Sequence, residues 1–411
     1  MKLFQKLLLA PAALGLFAPI AVNASESNFR DVTSYSQDQA ELSLDTFKPL
    51  SNKNPLLAGG EGTSSSQSSN DFDVDTFSST TTASFTTNFA LGTTEGATGN
   101  NSDNLGMNYD WEIALSSSFT GNDSLDVVIN GGQSKLMSEL DMTHTINDRD
   151  GGNGKSGTRL FLDTISYTTS LGDRTTAFYS FGKATAASAL YNTACVYGSQ
   201  VDTFSDCGVS AANIEEDLGT AMGASFDFEN GFTAAIGYEG QGSVSNKGFL
   251  TNEGTDAYGA QVAYSGDSFG VSVSWANIEN HSADGLNTVS AGATQSIGLN
   301  AYYTPDLANF PSISAGLESN HDDNVSTTNN DQTSHYFLGL QWDDFGNGTF
   351  GAAIGSKEPY NESADASSMY EVFYSYNYAD GITVTPLIYS KDNSGSTADE
   401  TGIILKTQFS F

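Results

Sequence analysis

The stretch Thr401–Phe411 reads TGIILKTQFSF. Ile403, Leu405, Phe409 and Phe411 fall on alternate positions, with Thr401 and Thr407 in the same phase. Gly402, Lys406, Gln408 and Ser410 stand between them, and only Ile404 breaks the alternation. A period of two is the pattern of a strand with one apolar and one wet face. Such a strand fits a soluble sheet packed on one side, and it also fits a strand whose apolar face meets lipid. The rest of the chain separates the two.

The same alternation recurs upstream. Trp111, Ile113, Leu115 and Phe119 share one face, as do Tyr258, Ala260, Val262 and Tyr264. Phe269, Val271, Val273 and Trp275 alternate with Ser268, Gly270, Ser272 and Ser274. Tyr336, Leu338, Leu340 and Trp342 repeat the pattern, and so do Tyr370, Val372, Tyr374, Tyr376 and Tyr378. Aromatic residues stand near both ends of these rows. About sixteen strand-like segments follow residue 72, each near the ~10 residues of a tilted membrane strand. Six to eight residues at ~3.3 Å each and ~40° tilt cover about 15–20 Å, close to a ~25 Å apolar band edged by aromatic girdles. A soluble sandwich has no reason to place rings this way.

Short connections carry the Gly, Asn, Asp and Pro that tight turns require. They fall at Gly121-Asn122-Asp123, Leu171-Gly172-Asp173, Glu229-Asn230-Gly231, Gly266-Asp267, Thr304 to Pro311, Asp343 to Gly348 and Ala379-Asp380-Gly381. Long polar stretches lie between them, the longest from Lys183 to Asp217. Long and short alternate throughout. This layout predicts an all-β fold, a transmembrane antiparallel up-and-down barrel of about sixteen strands over 72–411, with short periplasmic turns and long extracellular loops. A barrel of that size leaves a water-filled lumen.

The totals agree. Lys2 and Lys6 precede an apolar run from Leu7 to Val22, and Val22-Asn23-Ala24 forms a small-residue cleavage site, so residues 1–24 read as an export signal. Residues 25–71 are polar and end in a Ser-rich run, Thr63 to Ser69, which reads as a periplasmic segment and linker. No later apolar run approaches the ~20 residues of a membrane helix. Against 15 Lys and Arg stand 49 Asp and Glu, a formal charge of −34, which makes nucleic acid an implausible partner. Hydrophobic content of 38% is low for a solid core, whereas aromatic content reaches 11%, a combination suited to a wet barrel with aromatic girdles.

At this point the sequence resembles a known family. MKLFQKLLLAPAALGLFAP (1–19), DTFSSTTTASFTTNFALG (75–92), SGTRLFLDTISYTTSLGD (156–173), GITVTPLIYS (381–390) and the closing TGIILKTQFSF together resemble cyanobacterial outer-membrane porins. These are of the carbohydrate-selective group, often labelled iron-uptake porins. The resemblance implies an outer-membrane protein in contact with lipid that passes small hydrophilic solutes and inorganic ions, as a homotrimer. Members usually carry a surface-layer homology domain and a coiled coil before the barrel. Residues 25–71 are too few for both, which leaves cell-wall anchoring doubtful. Phe409 and Phe411 on the apolar face of the last strand are similar to the signal that barrel-assembly machinery reads.

Cys195 and Cys207 both lie in the longest loop, and an exported chain with two cysteines is expected to pair them. By strand order this is the third long loop, which in many sixteen-strand porins folds inward. Asp202, Asp206, Glu215, Glu216 and Asp217 would then line a constriction that favours cations; alternatively the loop covers the outer mouth and its acids are solvated. Phase places Glu371, Lys406 and Arg174 on the lumen wall, while Phe161 leaves the facing of Arg159 and Asp163 open. An acidic loop opposite a basic wall would impose a transverse field.

Enzyme readings fail, and neither cofactor nor metal is expected. Gly266-Asp267-Ser268-Phe269-Gly270 matches a serine-hydrolase string but sits in a turn between strands, where that motif needs a strand-to-helix elbow. Gly154-Lys155-Ser156 lacks the first glycine of a phosphate loop, because Arg149 occupies its place. His321-Asp322-Asp323-Asn324 and Asp148-Arg149-Asp150 read as solvated loop acids before they read as ion sites. A plugged barrel acting as receptor or adhesin, and a soluble secreted β-protein, remain the competing classes.

Overall fold

The computed structural model describes residues 81–96, 105–133, 139–140, 160–182, 185–214, 218–241, 254–281, 290–307, 309–323, 332–356, 367–392 and 399–411. The export signal over 1–24 and the polar segment 25–71 lie outside the described residues. The chain divides at Asp71/Phe72, and every described strand belongs to the second unit.

Sixteen strands follow in order: β1 (Thr81–Glu95), β2 (Gly106–Ser117), β3 (Asp123–Gln133), β4 (Phe161–Ser170), β5 (Thr175–Gly182), β6 (Thr220–Asp227), β7 (Phe232–Gly240) and β8 (Asp256–Ser265). They continue with β9 (Phe269–His281), β10 (Ser290–Tyr303), β11 (Ser312–Asp322), β12 (Gln332–Trp342), β13 (Gly348–Ser356), β14 (Ser368–Ala379), β15 (Ile382–Lys391) and β16 (Glu400–Ser410). Each pairs antiparallel with its sequence neighbours, and β1 pairs with β16, so the sheet is a closed barrel. The expected antiparallel barrel of about sixteen strands is therefore the observed one.

One end of the barrel carries the connections 118–122, 171–174, 228–231, 266–268, 304–311, 343–347 and 380–381. The other carries 96–105, 134–160, 183–219, 241–255, 282–289, 323–331, 357–367 and 392–399. Glycines serve the tight turns where the backbone needs a left-handed residue, as at Gly231 (φ 87°) and Gly381 (φ 69°).

The alternation seen in the sequence sorts the two faces. Met107, Ile236, Val262, Ile297, Leu317, Leu338 and Ile403 point outward and stay exposed, as lipid-facing side chains do. Ring contacts crowd the short-turn end: Phe226 with Phe228, Phe232 with Tyr264, Tyr264 with Phe269, Phe345 with Tyr374 and Phe85 with Phe411. Tyr258 and Trp275 meet toward the long-loop end, where Tyr336 and Tyr370 also stand on the outward face. At the seam, Phe85 and Phe411 exchange backbone bonds of 2.8 and 3.0 Å, and Phe411 is 82% exposed.

A bulge between Val128 and Ile129 of β3 leaves Asp163 of β4 as the extra residue. This accounts for the facing of Asp163. Asp163 interacts electrostatically with Glu112, whose strand position faces the lumen, although Leu162 points outward with Ile129.

The lipid-facing assignment yields a direct test. Val262 lies mid-strand on the outward row of β8, between Ala234 and Val273. Val262→Arg is expected to lower folding stability by about 2–4 kcal/mol in lipid vesicles, the loss typical of a cation near the bilayer midplane. Denaturant titration that finds Val262→Arg neutral would place this face in water instead.

Candidate functional site

The third long loop leaves β5, enters the barrel and lies along the inner wall of β7–β14. Its stations can be followed in order. The Asn192 amide N–H bonds Gln261 Oε1 (2.6 Å), Ala194 N–H bonds Ser272 Oγ (2.9 Å) and Val196 N–H bonds Ser314 Oγ (3.1 Å). Gly198 N–H reaches Gln341 Oε1 (2.7 Å), and Gln200 N–H reaches Glu371 Oε1 (2.6 Å). The chain then turns back. Asn300 Nδ2 bonds the Asp206 carbonyl (2.8 Å), His335 Nδ1 meets the Gly208 carbonyl (2.7 Å), and Ala212 N–H bonds Glu318 Oε2 (3.0 Å).

Two features of the wall let it do so. Lumen-facing glycines leave room for the loop backbone: a Cβ on Gly316 would stand 1.9 Å from the Cys207 carbonyl oxygen, and one on Gly237 would stand 2.0 Å from that of Ala187. Carboxylates supply acceptors for its N–H groups. Glu371 is 1% exposed and accepts from Tyr197 (2.9 Å), Ser199 (3.4 Å) and Gln200. Glu239 accepts from Thr185 (2.8 Å) and from Leu218 N–H, which closes the base of the loop. Hydrogen bonds to a charged acceptor are worth more than neutral ones, about 1.5–3 kcal/mol each.

The turn of the loop is tightly built. Cys195 and Cys207 form a disulfide across its two limbs. Asp206, Cys207 and Gly208 are successive left-handed residues (φ 49°, 53° and 72°). Beneath them lies an apolar cluster: Leu140, Tyr197, Val201 and Phe204 from the loops pack with Phe337, Met369, Phe373, Leu387, Tyr389 and Ile404 from the wall. Ile404, the exception in the last strand's alternation, faces inward and is 2% exposed in this cluster.

The sequence-derived site residues take distinct places. Asp202 is exposed on the inserted loop and donates its N–H to the Glu139 carbonyl (2.9 Å). Asp206 turns back on the loop itself, where its Oδ2 accepts from Asn213 Nδ2 (2.7 Å), so it is a brace of the loop and not a pore-facing charge. Burial pushes its carboxyl above the ordinary range, opposed by that Asn213 bond. Burial and the Glu371 carboxylate likewise raise the Tyr197 hydroxyl, which stays a donor. Glu371 faces the lumen, but the loop covers it. Lys406 faces the lumen half-exposed between Ala90 and Thr385. Arg174 is not on the wall: β5 starts at Thr175, and Arg174 pairs with Glu229 across two short turns, both side chains about half-exposed. Its phase was right and its strand too short. Phe409 and Phe411 point outward at the β1–β16 seam, against Phe89 and Phe85. Arg159, Glu215, Glu216 and Asp217 lie outside the described residues, as do Asp148, Arg149 and Asp150. His321 Nε2 contacts Asp323 Oδ1 at 3.2 Å on an exposed stretch.

Reading by phase missed Asp110, Glu112 and Asp126 on the lumen row of β2 and β3, and the anchoring pair Glu239 and Glu318. The signal was there, since each stands one position from an outward apolar residue: Trp111, Val127, Tyr238 and Leu317.

In solved structures, the chain is similar to Salmonella typhi OmpF in complex with daunomycin (14% identity, 80% of this chain and 97% of that chain, TM-score 0.51). It is also similar to an anion-selective porin from Comamonas acidovorans (15% identity, 80% and 99%, TM-score 0.50). A third is a loop-L8 deletion mutant of OmpT, an outer membrane protein of Vibrio cholerae (10% identity, 81% and 99%, TM-score 0.51). Neither a family model nor a curated protein matches the chain. At these identities the likeness is one of fold, the sixteen-strand barrel of bacterial outer-membrane porins.

Two outcomes follow for the loop. Gly316→Ala overpacks its seat by about 1–3 kcal/mol, and should raise loop release roughly five- to 160-fold. The rate at which a water-soluble phosphine reduces Cys195–Cys207 measures this, and an unchanged rate contradicts the seating. Asp206 sets a pH dependence. An acid whose pKa rises on docking favours the docked state when protonated, so docking is tightest below the ordinary carboxylate value and weakens as pH rises through the raised one. Phosphine reduction should therefore quicken across that window in the parent relative to Asp206→Asn.

Proposed function

We propose that the protein is an outer-membrane channel through which small hydrophilic solutes and inorganic ions diffuse passively. One observation carries this reading. The described part of the third loop occupies the side of β7–β14, while across the barrel the short-turn half of the lumen row stays polar and accessible, although Ala90, Asn108, Asp110 and Asn130 nearer the long loops are buried. Ser84 is exposed in that accessible half, and Thr86, Asn88, Glu112, Asp126, Lys406 and Gln408 are half-buried. No chemical step is needed. Solutes cross down their gradients, filtered by width and fixed charge.

A cation preference belongs to the same proposal. Glu112 and Asp126 line the accessible face, with Asp110 and Asp163 near enough to Glu112 to interact with it, and exposed Asp202 stands on the loop. Lys406 is their counterweight. Export through a leader ending near Ala24, placement in the outer membrane as a homotrimer, and assembly guided by Phe409 and Phe411 complete the reading, as does descent from the cyanobacterial carbohydrate-selective or iron-uptake type. The apolar cluster under the loop favours one rival, a barrel plugged for use as a receptor or adhesin.

Planar bilayers separate the two. The channel reading expects stepwise conductance and, in a potassium chloride gradient, a reversal potential of cation-selective sign. Glu112→Gln combined with Asp126→Asn should move that potential toward zero. Absence of conductance by the purified protein supports the plugged barrel, and an unmoved potential removes these two acids from the selectivity of the pore.

A further inference from the structure

We propose that Lys391 is a positioning residue that ties Glu139-Leu140, from the β3–β4 connection, and the third loop to one point on the barrel wall, and that this clip narrows the channel. The proposal rests on the channel reading above. Lys391 ends β15 on the lumen face and is 8% exposed. Its Nζ lies between two carboxylates, bonded to Glu139 Oε1 and 3.4 Å from Glu400 Oε2, while the Tyr389 hydroxyl donates to Glu400 Oε1 at 2.8 Å.

Glu400 is a neighbour in the sheet, but Glu139 is not. It belongs to the connection between β3 and β4, and β2, β1 and β16 stand between β3 and β15 around the wall. That arc is the part of the wall to which the third-loop hydrogen bonds described above do not reach. Glu139 also holds the third loop. Its Oε2 accepts from Thr203 Oγ1 (2.8 Å), its carbonyl accepts from Asp202 N–H, and Leu140 pairs with Val201 in an isolated antiparallel bridge. Leu140 and Val201 are 5% and 1% exposed within the apolar cluster. One residue pair, Glu139-Leu140, thus touches the wall of β15 and the inserted loop together.

The electrostatics make Lys391 decisive. One buried ammonium faces two buried carboxylates. Without it Glu139 and Glu400 would confront each other with little solvation, an arrangement that expels one of them. Glu400 is fixed in its strand, so Glu139 leaves for water and takes Leu140 with it. The third loop keeps separate anchors at Glu239, Glu318 and Glu371. Loss of Lys391 therefore widens the opening without releasing the third loop.

The test compares Lys391→Met, Glu139→Gln and the double variant in planar bilayers, reading single-channel conductance and the largest neutral polyethylene glycol that enters. Each single variant should raise conductance, about twofold for a modest gain in width, and admit a larger polymer. The double variant should do no more than either, because both act on one clip. A residue that merely stabilises the barrel would shift its heat-dependent gel mobility and leave the polymer limit alone. Glu139→Gln lies outside every strand, so it decides the matter if Lys391→Met fails to fold. A folded Glu139→Gln channel with parental conductance and polymer limit overturns the proposal. A parent protein that never conducts overturns the channel reading, and this proposal with it.

Discussion

Every backbone N–H and C=O that passes through hydrocarbon must find a partner within the protein, because no water is there to supply one. For a sheet, this means closure, and closure here depends on one seam. β1 and β16 pair without interruption from Thr86 opposite Ser410 to Glu95 opposite Thr401, and Phe85 and Phe411 finish the ladder. The seam is antiparallel because the strand number is even. Much else is then fixed. Alternate residues face lipid and lumen, short and long connections take opposite ends, and an inserted segment has no route but down the middle.

A segment inside the lumen faces a milder form of the same constraint. Its own N–H groups lose water wherever it touches the wall. The wall meets this in two ways. On β11 and β7, Gly316 and Gly237 let backbone approach backbone. On β14, β11 and β7, Glu371, Glu318 and Glu239 accept N–H groups or hydroxyls from the loop. Where neither suffices, apolar side chains fill the space, and Phe204 against Phe337 (5.1 Å between ring centres) is as much a protein core as any in water. The barrel is therefore a membrane protein outside and, along half its inner wall, a soluble protein inside.

That duality marks how far the sequence could be read. The outward rows were legible because lipid demands an apolar residue at every second position, as Tyr258 to Tyr264 and Phe269 to Trp275 show. The inner face has no such uniform rule. Ile404 looked like an exception to a wet face, and Leu387 and Tyr389 on the facing strand carried the same hint, since both stand on the inner row of β15. Apolar residues on both phases of adjacent strands mean that something covers the inside. Glu371 was assigned to the right face and the wrong company, because alternation gives direction and not burial. Arg174 failed for a different reason: phase runs on past the end of a strand, while the barrel does not. Asp163 needed the bulge, which one sequence alone does not display.

The inner acids also explain why this barrel manages with so few bases. Buried carboxylates need compensation, and a wall of arginines is one way to provide it. Here Glu371, Glu318 and Glu239 draw on N–H groups and hydroxyls of the inserted loop, and the Glu139–Glu400 pair draws on an ammonium, that of Lys391. Charge compensated by dipoles leaves little field in the open lumen. Among the described residues, the charges that remain there are Glu112, Asp126, Asp202 and Lys406, which are accessible to water and salt. Screening shortens their reach from about 10 Å at 0.1 M salt to about 3 Å at 1 M. Among the described residues, the third loop sets no row of acids opposite a basic wall. Its described loop acids are one brace, Asp206, and one exposed charge, Asp202, and any preference for cations should be graded and sensitive to salt.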